Sequence, residues 1–187
     1  MTFAELHSIG GFKLGEVASA LQKSLRRGLE PDALFWATEL DLSGYTEYCW
    51  KRLRIITSED VGLAEPGVAA AVQALYQAWS DQKRKKDERH GPERLFLVHA
   101  VILIARARKS RLVDHALIWA YEARQTLQFE VPDCALDKHT LRGRARRRGH
   151  QHFWTEGAQI ANPADLGPDP YEAIARATRT DDFKLGD

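Results

Sequence analysis

The sequence predicts an all-α protein, a bundle or array of about six antiparallel helices followed by an irregular, Arg-rich C-terminal extension. Apolar residues return at steps of three and four positions, which is the period of one face of a helix. No stretch alternates between apolar and polar residues, as a half-buried strand does. Only short Gly- or Pro-containing turns separate most of the apolar stretches, so successive helices are expected to lie side by side.

The first three helices are predicted in the first third of the chain. The first carries an apolar face that ends at Gly28. The second begins at Pro31, a residue that suits the first helical turn, and stops at Ser43-Gly44. The third begins near Tyr45, and Gly62 marks its end.

Three more helices are predicted after them. Pro66 opens the fourth, which runs out into a charged, solvated connection at residues 80–92. Residues 93–107 are apolar nearly all round, so this fifth helix is predicted to be the central, buried one. His99 within it is interpreted as a hydrogen-bonded core histidine. The sixth helix carries an apolar stripe over residues 112–123, and the tryptophans of these stripes are interpreted as core residues.

The character of the sequence changes beyond Phe129. Pro, Gly and many Arg residues predict irregular structure with one short helix. A further short helix is predicted at about residues 170–178, capped by Asp169. Residues 1–162 are therefore assigned to the helical domain, and residues 163–187 to a Pro- and Asp-rich tail.

Composition argues against several classes of protein. No run of about 18 or more apolar residues is present, so no membrane segment is expected. The N-terminal residues lack the basic start, apolar stretch and cleavage site of an export signal, so a cytoplasmic location is expected. Cys49 and Cys134 are far apart and lie among partly apolar neighbours, and both are interpreted as core thiols rather than as a disulfide.

Motifs for catalysis and for cofactors are missing from the sequence. Gly10 and Gly15 have the spacing of a phosphate-binding loop, but Glu16-Val17 stand where that loop needs Lys and Ser or Thr. There is no GxSxG or HExxH motif. His150, His152 and the nearby His139 lack Cys or acidic partners at metal-ligand spacing. The sequence therefore predicts a non-enzyme with no catalytic residue, no cofactor and no metal site.

A cluster of cations in the extension is the strongest candidate for a functional surface. Residues 138–152 carry six Lys or Arg and no acid. The guanidinium group matches phosphate oxygens, so these side chains are candidates for binding nucleic acid. In the alternative interpretation they pair with acids of this chain or of a second subunit. The KRKK run at 83–86 is interpreted as a solvated helix end. The candidate residues are Lys138, Arg142, Arg144, Arg146, Arg147 and Arg148.

Four stretches together resemble a known family. They look like successive blocks of the C-terminal half of the replication-associated recombination protein A family, also called MgsA, in the clamp-loader branch of AAA+ ATPases. The resemblance covers about residues 14–162, and SEDVGLAEP is its most specific piece. The four blocks are EVASALQKSLRRG, PDALFWATELDLSG, KRLRIITSEDVGLAEP and LVHAVILIARARKSR.

The resemblance implies a role in assembly. In that family this half forms helices that join the ATPase into a tetramer, and the whole protein acts at stalled replication forks and single-strand DNA junctions. The chain departs from the family in two ways. It has no Walker A, Walker B or arginine-finger part, so ATP binding is not carried over. It also has LRGRARRRGHQHF where the family has a Gly- and Tyr-rich stretch.

Certain residues of the shared blocks are interpreted as structural rather than as a ligand site. Glu59 and Asp60 are expected to pair with a cation of the first helix, and Lys23 or Arg26 supplies it. Leu63 is expected to pack beneath the turn. The whole set is Lys23, Ser24, Arg26, Ser58, Glu59, Asp60, Gly62, Leu63, Lys109 and Ser110.

Three hypotheses of function follow. The first is an interaction module that self-associates, with a homotetramer favoured, and docks onto replication or repair machinery. The second is a protein that binds DNA directly through Arg142 to Arg148. The third is a regulatory partner that assembles with a full-length AAA+ ATPase of the family or with another replication protein.

Overall fold

The structure, a computed structural model, describes residues 6–83 and 91–178. Contacts within the chain divide it into two compact units, and the division falls between Thr126 and Leu127. The first unit therefore holds the predicted helices, and the second holds the Arg-rich extension. Each unit has its own contacts.

The first unit is built from helices joined by short connections. Residues 6–83 and 91–126 contain no sheet, and their one β pairing is an isolated bridge between His7 and Lys13. The all-α prediction is confirmed, and each predicted helix is present. The helices are α1 (Leu14–Arg27), α2 (Glu30–Leu42), α3 (Thr46–Ile56), α4 (Gly67–Lys83), α5 (Pro92–Arg106) and α6 (Leu112–Tyr121).

The end of α1 shows how a predicted stop works. Gly28 adopts the left-handed conformation with φ 69°. Its N–H donates to the carbonyl of Leu25 at 3.2 Å, and the next N–H, of Leu29, donates to the carbonyl of Ser24 at 2.9 Å. A side chain would be strained in this conformation, so glycine is favoured here. Pro31 lies in the first turn of α2, as predicted.

The end of α3 is more complex than a single cap. The backbone widens into a π turn at Thr57–Val61 and then tightens into a 3₁₀ turn at Gly62–Ala64. Gly62 has φ 49°, and a Cβ atom there would lie 3.0 Å from Cγ2 of Val113 on α6. Backbone conformation and the close approach of α6 both require glycine, which confirms Gly62 as the marker of the helix end.

The core of the first unit lies among α1 to α5. Its fully buried side chains include Leu21, Trp50 and Ile104. Burying side chains of this kind stabilises a fold by roughly 1.5–3 kcal/mol each. α5 packs against α1, α2, α3 and α4, which confirms its predicted central place. His99, however, is exposed on α5, so its interpretation as a core histidine is wrong.

The sixth helix differs from the other five. None of its residues is buried, and the predicted stripe of Leu112, Ala116 and Trp119 faces outward. Leu112 is 56% exposed and Trp119 is 55% exposed. The helix was predicted correctly, but the interpretation of its tryptophan as a core residue is wrong. Periodicity identifies an apolar face without identifying what covers that face.

The second unit consists of short helical pieces joined by irregular segments, as predicted. Its helical pieces are α7 (Leu141–Ala145), α8 (His150–His152), which continues as a π turn at Phe153–Gly157, and α9 (Glu172–Thr178). Oδ1 of Asp169 accepts a hydrogen bond from the N–H of Tyr171 at 2.9 Å, just before α9. The predicted helix near 170–178 is therefore present, with its first turn slightly later than predicted.

Two further predictions concern membranes and the lysine-rich run. Within the described ranges, no helix is both long and apolar enough to cross a membrane. Of the KRKK run, Lys83 ends α4. Its Nζ lies 3.4 Å from Oε1 of Glu47 and 4.8 Å from the ring centre of Trp79. Residues 84–86 lie outside the described residues.

Candidate functional site

The residues of SEDVGLAEP meet α1 through an ion-pair network in the first unit. Asp60 is fully buried, and its Oδ1 accepts a hydrogen bond from Nε of Arg26 at 2.7 Å. Nη2 of the same arginine donates to Oε1 of Glu59 at 2.9 Å. The predicted pairing is confirmed for Arg26. Lys23 instead donates to the hydroxyl of Ser19 at 2.6 Å.

A second arginine brings α6 into this network. Nε of Arg111 lies 3.9 Å from Oδ1 of Asp60, and its Nη2 lies 4.0 Å from Oε1 of Glu59. Arg111 also forms an ion pair with Asp114 on α6. The hydrogen bond to Asp60 raises the pKa of Arg26 above its ordinary value, so this guanidinium stays charged. The network therefore links α1, the π turn and α6.

Lys109 closes the end of α5. Its Nζ donates to the carbonyls of Ile104, Ala105 and Ala107 at 2.6, 3.0 and 2.6 Å. The carbonyls of Ile104 and Ala105 lie in the last turn of α5, where carbonyls lack partners within the helix, and that of Ala107 directly follows it. A cation is also favourable at this end of the helix dipole. Burial lowers the pKa of Lys109 below its ordinary value.

The remaining residues of the shared blocks complete the same junction. The N–H of Ser110 donates to the carbonyl of Asp60 at 2.9 Å. Ser24 is buried in α1, whereas Ser58 is exposed. Leu63 is 66% exposed, so the expectation that it packs beneath the turn is wrong. The structural interpretation of these residues is supported by contacts that join one element to the next.

The five arginines of the cluster fall into two groups, and the first group, Arg146 and Arg148, is paired. Nη1 of Arg146 donates to Oδ1 of Asp133 at 2.6 Å. Arg148 pairs with the same carboxylate and also donates to the carbonyls of Asp133 and Leu136 at 2.6 and 3.1 Å. The hydrogen bond from Arg148 holds the pKa of Asp133 below its ordinary value. For these two arginines, pairing with an acid of this chain is observed.

The second group of arginines is unpaired within the described part of the chain. Arg142, Arg144 and Arg147 are exposed, and across residues 91–178 the structure gives their side chains no ion pair and no hydrogen bond. Arg147 has φ 56°, a conformation that is uncommon for a residue with a side chain. Lys138 belongs to neither group, and its Nζ lies 2.8 Å from Nε2 of His150. The structure thus leaves three guanidinium groups available to a partner.

A tight local fold holds these arginines in place. A Cβ atom at Gly143 would lie 1.8 Å from the carbonyl oxygen of Asp137, so only glycine fits there. Oγ1 of Thr140 accepts a hydrogen bond from the N–H of Gly143 at 3.0 Å and caps α7. Sequence reasoning missed the roles of Gly143 and Asp133. The signal was a glycine within an arginine run and the two aspartates shortly before it, Asp133 and Asp137.

The described residues offer little to a metal ion or a nucleophilic mechanism. Among them, no three His, Cys, Asp or Glu side chains gather at metal-binding distance. Cys49 is buried, and burial raises the pKa of its thiol far above the ordinary value, so the nucleophilic thiolate is disfavoured. Cys134 is exposed, so its interpretation as a core thiol is wrong.

The outward stripe of α6 is the third candidate surface. Leu112, Ala116 and Trp119 follow one another at four- and three-residue steps, so they share one side of the helix. The stripe contains no charged residue. Contiguous apolar patches on a protein surface often mark sites of protein–protein contact.

Comparisons with known proteins agree on one family. A family model described as MgsA AAA+ ATPase C terminal matches residues 28–159. The Replication-associated recombination protein A of Haemophilus influenzae is 32% identical over 124 residues, which cover 65% of this chain and 26% of that protein. The Escherichia coli K12 protein of the same name is 34% identical over 127 residues, with the same coverage of both chains. The aligned part is thus about a quarter of the length of these curated relatives.

Proposed function

Because the chain belongs to the MgsA AAA+ ATPase C-terminal family, we propose that it is a non-catalytic interaction module of DNA replication and recombinational repair. The curated relatives are replication-associated recombination proteins, which links the chain to these processes. The matched part is the C-terminal, helical region of an AAA+ ATPase, and it contains no ATPase site. Its contribution is therefore a surface for assembly.

The observation that carries this proposal is the exposed stripe of α6. A second copy of the chain is the simplest partner, because most soluble oligomers are symmetric and a helix face can pack against its own copy. Leu112 and Trp119 supply apolar area, and Ala116 between them lets two helices approach closely. No like charges oppose this pairing, since the stripe is uncharged. Two such contacts per chain, on different faces, give the tetramer that the family resemblance implies.

Light scattering of variants tests self-association. We expect the wild-type chain to have a mass above that of the monomer, with a tetramer favoured. Trp119→Glu should lower that mass, because it removes the α6 contact. Leu95→Glu is the matched control, because Leu95 is a 68% exposed leucine on α5, away from the stripe. A wild-type chain that stays monomeric at every concentration contradicts the proposal. An unchanged oligomer mass in Trp119→Glu contradicts the assignment to α6.

A second candidate function is DNA binding through Arg142, Arg144 and Arg147. The observation that favours it is that these three exposed side chains have no acidic partner among the residues that the structure describes. Replacing all three by Ala is expected to weaken retention of a single-stranded oligonucleotide at low salt. The slope of log affinity against log salt should flatten by about 2, since each contact contributes roughly 0.7. Unchanged affinity and slope contradict this function.

The third candidate is assembly with a full-length relative. The same α6 stripe can pack against an equivalent helix of a family member, because both belong to one family. Mixing the chain with such an ATPase should then give mixed oligomers, detected by native mass spectrometry. Trp119→Glu should abolish them, and Leu95→Glu should not.

A further inference from the structure

A groove lies between α3 and α6 in the first unit. Its α3 wall contains Lys51, Arg54 and Ile55, and its α6 wall contains Asp114 and Leu117. The groove has a volume of about 440 Å³ and a mainly apolar lining. Pockets that hold ligands have volumes of roughly 300–1,000 Å³, so this one has room for a few apolar side chains.

The acids of this groove already have partners. Asp114 forms its ion pair with Arg111. Glu59, at the end of the groove, accepts a hydrogen bond from Arg26 at 2.9 Å. A basic ligand would have to compete with arginines that these carboxylates already bind. The acids therefore offer little charge to a ligand.

Within the described residues, the cations of the groove have no such partners. The side chain of Lys51 is exposed, and the part of the chain that the structure describes gives it no ion pair or hydrogen bond. The guanidinium of Arg54 lies over the ring of Tyr76 at 4.3 Å, and its buried Nε meets no acceptor among the described residues. The free charge of the groove is thus positive, and it lies beside apolar side chains.

We propose that this groove binds an acidic, amphipathic segment of a partner protein. Apolar side chains of the segment enter between Ile55 and Leu117, and its carboxylates meet Lys51 and Arg54. Amphipathic helices are recognised in this way by apolar grooves with complementary charge. The inference goes beyond self-association, since the groove residues Val113 and Leu117 lie about a third of a turn around α6 from the Leu112–Trp119 stripe.

An unbiased selection tests the chemistry of the ligand. A display library of random 15-residue peptides is selected on the full chain, and peptides that the Leu117→Asp variant also retains are discarded. We expect the remaining peptides to be enriched in Asp or Glu beside apolar residues at helical spacing. A remaining pool without acidic enrichment, or an empty pool, overturns the proposal.

A charge exchange tests the contact itself. The selected acidic peptide is labelled, and its affinity is measured by fluorescence anisotropy. Lys51→Glu is expected to weaken binding by roughly two- to fivefold, as for other exposed charge pairs. The same variant should bind a peptide whose acids are replaced by Lys more tightly than the wild-type chain does. Lys13→Glu is the matched control, because Lys13 is an exposed lysine that does not line the groove. Equal effects of the two variants overturn the assignment.

Light scattering separates this site from self-association. We expect the selected peptide to bind Trp119→Glu as tightly as wild type and to leave the oligomer mass unchanged. A peptide that dissociates the oligomer shows instead that a second copy occupies the groove, which overturns the proposal. Circular dichroism of every variant tests whether the helices are intact. If Leu117→Asp does not fold, Leu117→Ala replaces it, and we expect that variant to bind the peptide about tenfold more weakly.

Discussion

Asp60 and Asp133 each form ion pairs with two arginines. They differ in their surroundings. Asp60 is fully buried, with one oxygen that has no hydrogen-bond partner in the described part of the chain, whereas Asp133 is exposed. A buried carboxylate that loses its partners destabilises a protein far more than an exposed one does, because water cannot replace those partners. A carboxylate bound by two arginines therefore stabilises the buried part of the first unit, whereas in the second unit it fixes the conformation of an exposed turn.

The first prediction concerns Asp60. Asp60→Asn removes the charge that Arg26 and Arg111 share and should lower the free energy of unfolding by about 3 kcal/mol, the lower end for a broken buried pair. The measurement is urea unfolding followed by circular dichroism. Glu47→Gln is the control, since the Lys83–Glu47 pair is exposed and should contribute no more than about 0.5 kcal/mol. Equal stability of the two variants would contradict the prediction.

The second prediction concerns pH and Asp133. Because Arg148 lowers the pKa of this carboxyl in the folded chain, the ion pairs stabilise the second unit above the pKa of the unfolded state. That contribution is lost as the pH falls through the lowered, folded pKa. A carbon-13 titration of the Asp133 carboxyl should therefore have its midpoint below the ordinary value of about 3.9.

Two arginine variants provide the control for this titration. Arg148→Ala should move the midpoint of Asp133 upward, toward the ordinary value. Arg144→Ala should leave it unchanged, since Arg144 is exposed and has no contact with Asp133 among the described contacts. Equal midpoints in the two variants would show that Arg148 is not the cause.

At the scale of helices, sequence and structure agree where the signal is local. The stops at Gly28 and Gly62 were predicted, because left-handed backbone at a helix end selects glycine. The direction of the α6 stripe was not predicted, since spacing reveals an apolar face and the covering partner belongs to tertiary or quaternary structure. The split of the Arg cluster was also not predicted, because the pairing of Arg146 and Arg148 depends on a turn that brings Asp133 beside them.

The third prediction concerns α7. Gly143→Ala places a Cβ atom on the carbonyl of Asp137, so the turn must shift, and the second unit should lose roughly 1–3 kcal/mol of stability. Limited proteolysis should then cleave residues 133–149 faster. Gly15→Ala is the matched control, since its Cβ meets nothing within 4 Å and alanine favours a helix. Cleavage at wild-type rates in Gly143→Ala would contradict the prediction.

At the scale of the whole molecule, the two units differ in how they are held together. Every buried residue of the core cluster falls between Leu14 and Ala107, within the first unit. The second unit relies on ion pairs, caps and close backbone contacts such as that of Gly143. The domain boundary at residue 162 that the sequence suggested stays a prediction, and the core suggests testing a boundary at Thr126 beside it.

The fourth prediction compares two fragments. A fragment of residues 1–126 should fold and unfold cooperatively on heating, because it contains the whole described core cluster. A fragment of residues 1–162 should show the same transition with no gain in midpoint temperature. If the shorter fragment is unfolded and the longer one is folded, the boundary at residue 162 is the correct one. Circular dichroism at 222 nm follows both transitions.

The two cysteines give the protein a built-in reporter. Cys49 is buried and its thiol resists deprotonation, whereas Cys134 is exposed and directly follows Asp133. A maleimide dye at neutral pH should therefore attach to the natural sequence at one place, next to the arginine-bound carboxylate. Changes in the brightness of that dye would report on ligands that approach the arginines, without any engineered substitution.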